Sequence, residues 1–279
     1  VSFSIVVTRE GARAVLDEAT GEVMHPVVGG RVEAEALYIA PSRLRERLSE
    51  PGEGPLVVLD VGLGAGSNAV AAITAARSVH GTGGGGRRLD LVSFDRTGDA
   101  LALARGDAHA ADFGFTAETA SAARALLAHG HHETGELRWS FVRGELPDTL
   151  STLPAASADL VFWDPFSPRS NPRLWSVAAF RAVRRVCRAG ATLHTYGAAT
   201  STRAALLLAG FAVGAGDPSG KSVQTTVAAV DVADLRSPLD RRWLERWRRS
   251  SAPLPTDAPS DAAERIAAAR QFGGGEAPG

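Results

Sequence analysis

The chain is poor in the features that define several protein classes. A single cysteine, Cys187, excludes a disulfide framework within it. No apolar stretch reaches the length of a membrane span. The opening VSFSIVV is too short for a signal peptide and lacks its basic flank, so a soluble, cytoplasmic protein with no membrane partner is expected. Bulk charge of one sign is missing too: the formal net charge is −1 over 279 residues, whereas a domain that holds nucleic acid by general attraction is usually basic. Any such binding must come from local clusters. With 44% hydrophobic content, the chain has enough apolar material for one substantial core with small appendages.

Residues 59–68 read LDVGLGAGSN, an apolar run closing on Asp60 and followed by a GxGxG turn. The run, LVVLDV, suits a strand buried on both faces. Gly62, Gly64 and Gly66 lack the Cβ atoms that hold a ligand away from a backbone, and Ser67 and Asn68 open the next helix with its N–H groups free. A nucleoside-binding strand–loop–helix begins this way. The dinucleotide fingerprint has a glycine where Ser67 stands, so that a helix meets a pyrophosphate. The GxGxG form fits S-adenosylmethionine (SAM) better, because that cofactor has no phosphate. Asp60, Gly62, Gly64, Gly66 and Asn68 are the expected cofactor residues of this unit, the other reading of such a turn being a plain structural loop.

LDLVSFD (89–95) is a second apolar strand ending on Asp95, where doubly wound folds place an acid to accept from ribose hydroxyls. The separation from the glycine turn exceeds the usual ~20 residues. An inserted HGTGGGG (80–86) accounts for it as a longer return turn. The alternative is that Asp95 caps the following turn. LRWSFVRGE (137–145) reads as a third strand leading to Glu145, placed either to accept from an adenine amine or to face solvent.

The most specific segment is ADLVFWDPFSPRSNPRLW (158–175), in which a buried strand delivers Asp164 into a proline-rich loop. Open α/β sheets bind ligands beyond the carboxyl ends of their strands, so Asp164 is expected at the reacting centre. Pro165, Pro168 and Pro172 fix φ and stiffen the loop before substrate arrives. Arg169 and Arg173, in the same loop, are placed to meet phosphates of a substrate.

Along the chain, residues 1–50 read as a small strand-rich N-terminal extension ending in a helix around SRLRERLSE, and PGEGP (51–55) opens the main domain. Strands and helices alternate over 51–230. The fold class is therefore α/β: a doubly wound, mostly parallel Rossmann-like sheet of the SAM methyltransferase kind, with FAVGAGDPSGKSVQTTVAAV as an antiparallel edge hairpin. Residues 231–279 read as a Trp-Arg helix, a linker (SAPLPTDAPSD), a short helix and a frayed GGGEAPG end.

Taken together, the chain resembles the tRNA 5-methylaminomethyl-2-thiouridine methyltransferases, in the standalone MnmD form and the amino-terminal half of the bifunctional MnmC form. The resemblance rests on GLGAGSNA (62–69), DPFSPRSNPRLW (164–175) and AGATLHTYGAATSTRAALLLAGF (189–211). It also covers TREGARAV (8–15), GEVMHPVVGGRVEAEALYI (21–39) and RRWLERWRRSSAPLP (241–255). It implies SAM as cofactor, held by Gly62, Gly64, Gly66 and Asp95, and Asp164 facing a substrate amine. Tyr196, inside a matching segment, is read as a substrate-side residue, and His25, inside another, as either a substrate-pocket residue or a structural one. The implied reaction is N-methylation of the 5-aminomethyl group on the wobble uridine in a tRNA anticodon loop. The family usually has Glu where Asp95 stands and a Gly-Asp pair where this chain has Gly144-Glu145; both changes keep an acceptor. GKSVQTTVA (220–228) replaces a more basic run, which weakens the substrate assignment. Nothing after residue 230 has the length or second glycine fingerprint of the oxidase part of the bifunctional form, so methyl transfer alone is expected.

Other chemistry has less support. His129, His131 and His132 lie in a glycine-containing turn without Cys or carboxylate at ligand spacing, so no metal is expected. Cys187, in FRAVRRVCRAG, reads as an inert thiol on a helix. Arg181, Arg184, Arg185 and Arg188 recur at helical spacing. Arg241, Arg242, Arg246, Arg248 and Arg249 interleave with Trp243 and Trp247; either set is an RNA footprint or an ordinary solvated face. Two rivals remain: an enzyme alkylating a small amine, as aminopropyltransferases do, and a non-catalytic RNA-binding module.

Overall fold

A computed structural model describes residues 2–25, 29–81, 86–218 and 224–273. The first strands, β1 (Phe3–Val7), β2 (Arg13–Asp17) and β3 (Glu22–Val23), form an antiparallel sheet in the order β1-β2-β3. A helix α1 (Gly30–Ala34) runs directly into a π-helical turn, Glu35–Ile39, and α2 (Leu44–Ser49) follows.

The main sheet has eight strands. In chain order these are β4 (Leu56–Val61), β5 (Leu89–Asp95), β6 (His131–Glu133), β7 (Leu137–Arg143), β8 (Ala158–Trp163), β9 (Cys187–Thr195), β10 (Ala212–Pro218) and β11 (Gln224–Ala229). Their spatial order is β10-β11-β9-β8-β4-β5-β7-β6. The inner strands β9, β8, β4, β5 and β7 are parallel, with Val61 opposite Trp163 on one side and Phe94 on the other. The expected edge hairpin is β10–β11. A second antiparallel edge was not legible: HHE, read as a turn, forms β6 and pairs with β7, His132 opposite Trp139.

Helices α3 (Ser67–His80), α4 (Asp99–Ala104) and α5 (Ala117–His129) follow on one side, and α6 (Val177–Val186) and α7 (Thr200–Leu208) on the other. The period-2 alternation of a strand divides the core in two. Leu59, Val61, Val161 and Trp163 join the α6–α7 layer, while Val58, Leu160 and Phe162 join the α3 layer with Tyr38, Leu44 and Leu48. Asp60 and Asp164 continue the second set. Both therefore belong to the face where α3 and the N-terminal segment meet.

Two further expectations need revision. Helix α6 stops at Val186, and Cys187 opens β9, where burial pushes its thiol up to about 12 and makes it unreactive. The stretch read as a linker is tied down: the Asp257 carboxylate accepts from the N–H groups of Val177 and Ala178, 3.0 and 2.9 Å, at the start of α6. Beyond it, α8 (Arg241–Arg248) and α9 (Ala262–Ala267) pack Trp243, Leu244, Trp247, Ile266 and Phe272 into the core. The Gln271 amide bonds both N–H and C=O of Val213 on the edge strand. The long turn within 80–86, the Gly-Lys pair at 220–221 and most of GGGEAPG lie outside the described residues.

Candidate active site

Strands β4 and β8 are neighbours, and their connections leave the sheet on opposite sides, which opens a crevice beyond their carboxyl ends. The glycine turn leaves β4 on one wall, and Asp164 leaves β8 on the other. Gly62 is required there: with φ at 92°, a Cβ would stand 2.5 Å from the Asp164 carbonyl oxygen. Its bare backbone lets the two strand ends close together, and the Asp164 N–H reaches the Val61 carbonyl at 2.8 Å.

The crevice is a cavity of about 650 Å³. Of the sequence-derived candidates, it is lined by His25, Gly62, Gly64, Asn68, Asp95, Glu145, Asp164 and Tyr196. Two cofactor candidates do not line it. Gly66 is the N-cap of α3, packed against Leu101. Asp60 is wholly buried beneath the floor, where it accepts from Ser93 Oγ at 2.7 Å, and burial pushes its carboxyl up to about 7. Arg169 is exposed, and Arg173 pairs with Asp148 at 2.8 Å; neither lines the cavity.

Asp164 is the focus of the polar side chains. Its Oδ2 accepts from Asn68 Nδ2 at 2.8 Å and stands 3.7 Å from His25 Nε2; the Tyr38 hydroxyl faces the same carboxylate. Burial pushes the Asp164 carboxyl up, against the lowering effect of His25, Tyr38 and Asn68. Asn68 thus serves the acid, a role its place in the glycine turn does not suggest, and its own Oδ1 is buried without a partner. His25 Nδ1 lies 2.9 Å from Glu33 Oε2. Burial pulls the imidazole down, but the bond to Glu33 and the charges of Asp164, Glu33 and Asp60 outweigh it, so His25 titrates above its ordinary value.

The loop after Asp164 is held from three directions. Tyr196 donates to the Pro165 carbonyl at 2.8 Å, and Trp175 Nε1 to the Phe166 carbonyl at 2.9 Å. Glu22, from β3, accepts from the Ser167 N–H at 3.1 Å and from the hydroxyls of Ser167 and Ser170. Although burial raises it, these donors leave the Glu22 carboxyl below its ordinary value. Glu22, Glu33 and Tyr38 lie in the matching segment 21–39, but no local pattern marks them as site residues. Glu22 reaches Ser167 and Ser170 across 145 and 148 positions, Tyr38 faces Asp164, and Glu33 acts through His25; only the N-terminal segment folding over the crevice brings them in.

The other wall fits a nucleoside. Asp95, at the tip of β5, accepts from Gly64 N–H at 3.0 Å and Arg96 N–H at 2.7 Å, while burial raises its carboxyl. Gly64, at φ 48°, leaves a cradle that a Cβ would fill, 3.1 Å from Met24 Sδ. Glu145 is largely exposed at the rim, 3.9 Å from Arg96. Five carboxyl side chains line the cavity (Glu22, Glu33, Asp95, Glu145 and Asp164) against Arg96, the one arginine or lysine among the described lining residues.

Comparison with known proteins agrees with this geometry. Residues 118–231 match a family described as S-adenosyl-L-methionine-dependent methyltransferase. The bifunctional tRNA 5-methylaminomethyl-2-thiouridine biosynthesis protein MnmC of Ralstonia nicotianae is 33% identical over 217 residues, 75% of this chain and 32% of that protein. The chain thus spans about a third of the length of the curated relatives it matches. The crystal structure of MNMC2 from Aquifex aeolicus superposes with a TM-score of 0.73 at 20% identity, covering 95% of this chain and 84% of that one. A probable spermidine synthase from Corynebacterium glutamicum shares the fold at a TM-score of 0.51 and 15% identity, over 92% and 94% of the two chains. Sheet, crevice and family match define a SAM-dependent methyltransferase. Within that class, the chain belongs to the family represented by the methyltransferase part of MnmC.

Proposed function

We propose that this chain methylates the primary amine of a 5-aminomethyl group on the wobble uridine of tRNA, giving a 5-methylaminomethyl group in the anticodon loop. The observation that carries the reading is Asp164: a largely buried acid at the end of β8, facing the glycine turn in a cavity lined by five carboxyl side chains against one arginine. Such a lining suits two cations, a sulfonium donor and an ammonium acceptor. Gly62, Gly64, Asp95 and Glu145 would hold the nucleoside part of SAM. When bound, SAM supplies an electrophilic methyl group.

The chain's own residues must align the amine and remove one proton. An alkylamine titrates near 10.4 and is mostly protonated at neutral pH, so it is not yet a nucleophile. Asp164 is suited to bind that ammonium and take its proton, because burial strengthens it as a base. Asn68 fixes the carboxylate by donating to Oδ2. Tyr196 and Glu22 keep the loop from moving away. An anticodon loop already presents unstacked bases, as single-stranded recognition requires.

The test is methyl incorporation from labelled SAM into tRNA bearing 5-aminomethyluridine, beside polyamines as competing acceptors, with nucleoside mass spectrometry of the product. Transfer to tRNA is expected. Labelling of polyamines alone would replace this reading by the small-amine one. Asp164→Asn should bind SAM nearly as wild type does and lose about 10²-fold in turnover; unchanged turnover would remove Asp164 from the mechanism.

A further inference from the structure

We propose that His25, oriented by Glu33, accepts the substrate's proton from Asp164, so that Asp164, His25 and Glu33 form a proton relay; this rests on the amine-methylating reading above. In the overall transfer, a nitrogen–carbon bond forms and the donor's carbon–sulfur bond breaks, its electron pair staying on sulfur. One proton leaves the ammonium. Asp164 receives that proton first, and His25 Nε2 takes it on.

The geometry assigns the roles. The Glu33 carboxylate only accepts, so at 2.9 Å the proton of a neutral imidazole sits on Nδ1, and the Nε2 lone pair faces Asp164. The 3.7 Å between Nε2 and Oδ2 is close to, but beyond, hydrogen-bond distance. A proton arriving on Asp164 supplies the missing link. The imidazole is also held in place, since the His25 backbone adopts φ 52°, a left-handed conformation rare for a side-chain-bearing residue. Its ring packs against Gly30, where a Cβ would stand 3.0 Å from His25 Cδ2 and overlap Ser67.

The groups around the relay set its direction. Glu33 comes from α1, Asp60 from β4 beneath, Asp164 from the loop after β8, and the Tyr38 and Tyr196 hydroxyls from the π-helical turn and the end of β9. Both phenols titrate above their ordinary value and keep their protons, so they do not compete as bases. The three carboxyl groups raise the proton affinity of His25, which draws the proton off Asp164. Since His25 lines the cavity, the proton leaves to water there after the product departs.

Single-turnover rates with saturating SAM and aminomethyl tRNA, measured against pH, test the relay in wild type, Glu33→Gln and His25→Gln, with SAM affinity measured in parallel. His25 must be unprotonated to accept, so wild type should show an acid limb. Glu33→Gln removes a charge that raises His25, so the limb should move to lower pH. His25→Gln should abolish that limb and slow transfer about tenfold or more, with SAM affinity within about twofold of wild type. An unmoved limb in Glu33→Gln, or a His25→Gln variant with the wild-type limb, would overturn the relay. A wild-type protein that methylates no tRNA would overturn the reaction, and the relay with it.

Discussion

Asp60 illustrates how much one buried carboxyl alters the balance of the fold. It is fully enclosed, one oxygen taken by Ser93 Oγ, which in turn accepts from Trp139 Nε1 at 2.9 Å, and the other without a partner. Burial pushes it from 3.8 to about 7, so between those values the folded protein keeps a proton that the unfolded chain has released. The stability from this site is full below the unfolded value and declines as pH rises toward 7. Asp60→Asn removes that titration. Urea unfolding should give a wild-type stability that falls relative to the variant by roughly 1–4 kcal/mol between pH 4 and 7.5. An equal difference at both pH values would mean that Asp60 does not titrate in this window.

At the scale of elements, the junction of β3 with the loop after β8 is the joint on which the site depends. Glu22→Gln keeps the size of the side chain but gives Ser167 and Ser170 a weaker acceptor. We expect turnover to fall several-fold and thermal stability by about 1 kcal/mol, with SAM affinity unchanged because Gly64 and Asp95 lie on the far wall. A variant with wild-type turnover would show that the loop holds its place without the clamp. This joint also marks the limit of what the sequence discloses. The apolar runs of β4, β5 and β8, the glycine turn and Asp164 are legible because each follows from a local pattern. β6 was not: three polar residues, HHE, have no strand pattern and pair only because β7 leaves an edge beside them. Asp60 reads as a site residue because it precedes the glycines, yet strand parity turns it into the core. Glu33 was illegible because nothing near it in sequence says that a histidine eight residues earlier will turn toward it.

For the whole molecule, the distribution of arginine decides where a large anion is met. Arg184 and Arg185 donate to carbonyls of Gly210, Leu150 and Leu153, and Arg188 to Ser157 and the Asp159 carboxylate. These partners gather where β8 begins, the end of the sheet opposite the cavity, and Arg188 sits on β9, off the helix. The stripe fastens the fold there. Replacing both Arg184 and Arg185 by Glu should therefore lower stability by about 1–3 kcal/mol and leave tRNA affinity near wild type. Arg169→Glu, on the loop beside the cavity, should weaken tRNA binding and flatten its salt dependence. Filter binding at several salt concentrations separates the two, and the reverse result would move the RNA footprint to the far end.

The small antiparallel sheet, the residues just after it and α1 supply Glu22, His25 and Glu33, none of which belongs to the doubly wound sheet. A chain trimmed of them would still own a glycine turn and an acid at the tip of β8. That acid, however, would be bathed in bulk solvent and revert to the strength of a surface aspartate, a poor match for a reluctant ammonium. On the proposed reading, what would turn a widespread scaffold into an amine alkylator is the roof laid over it.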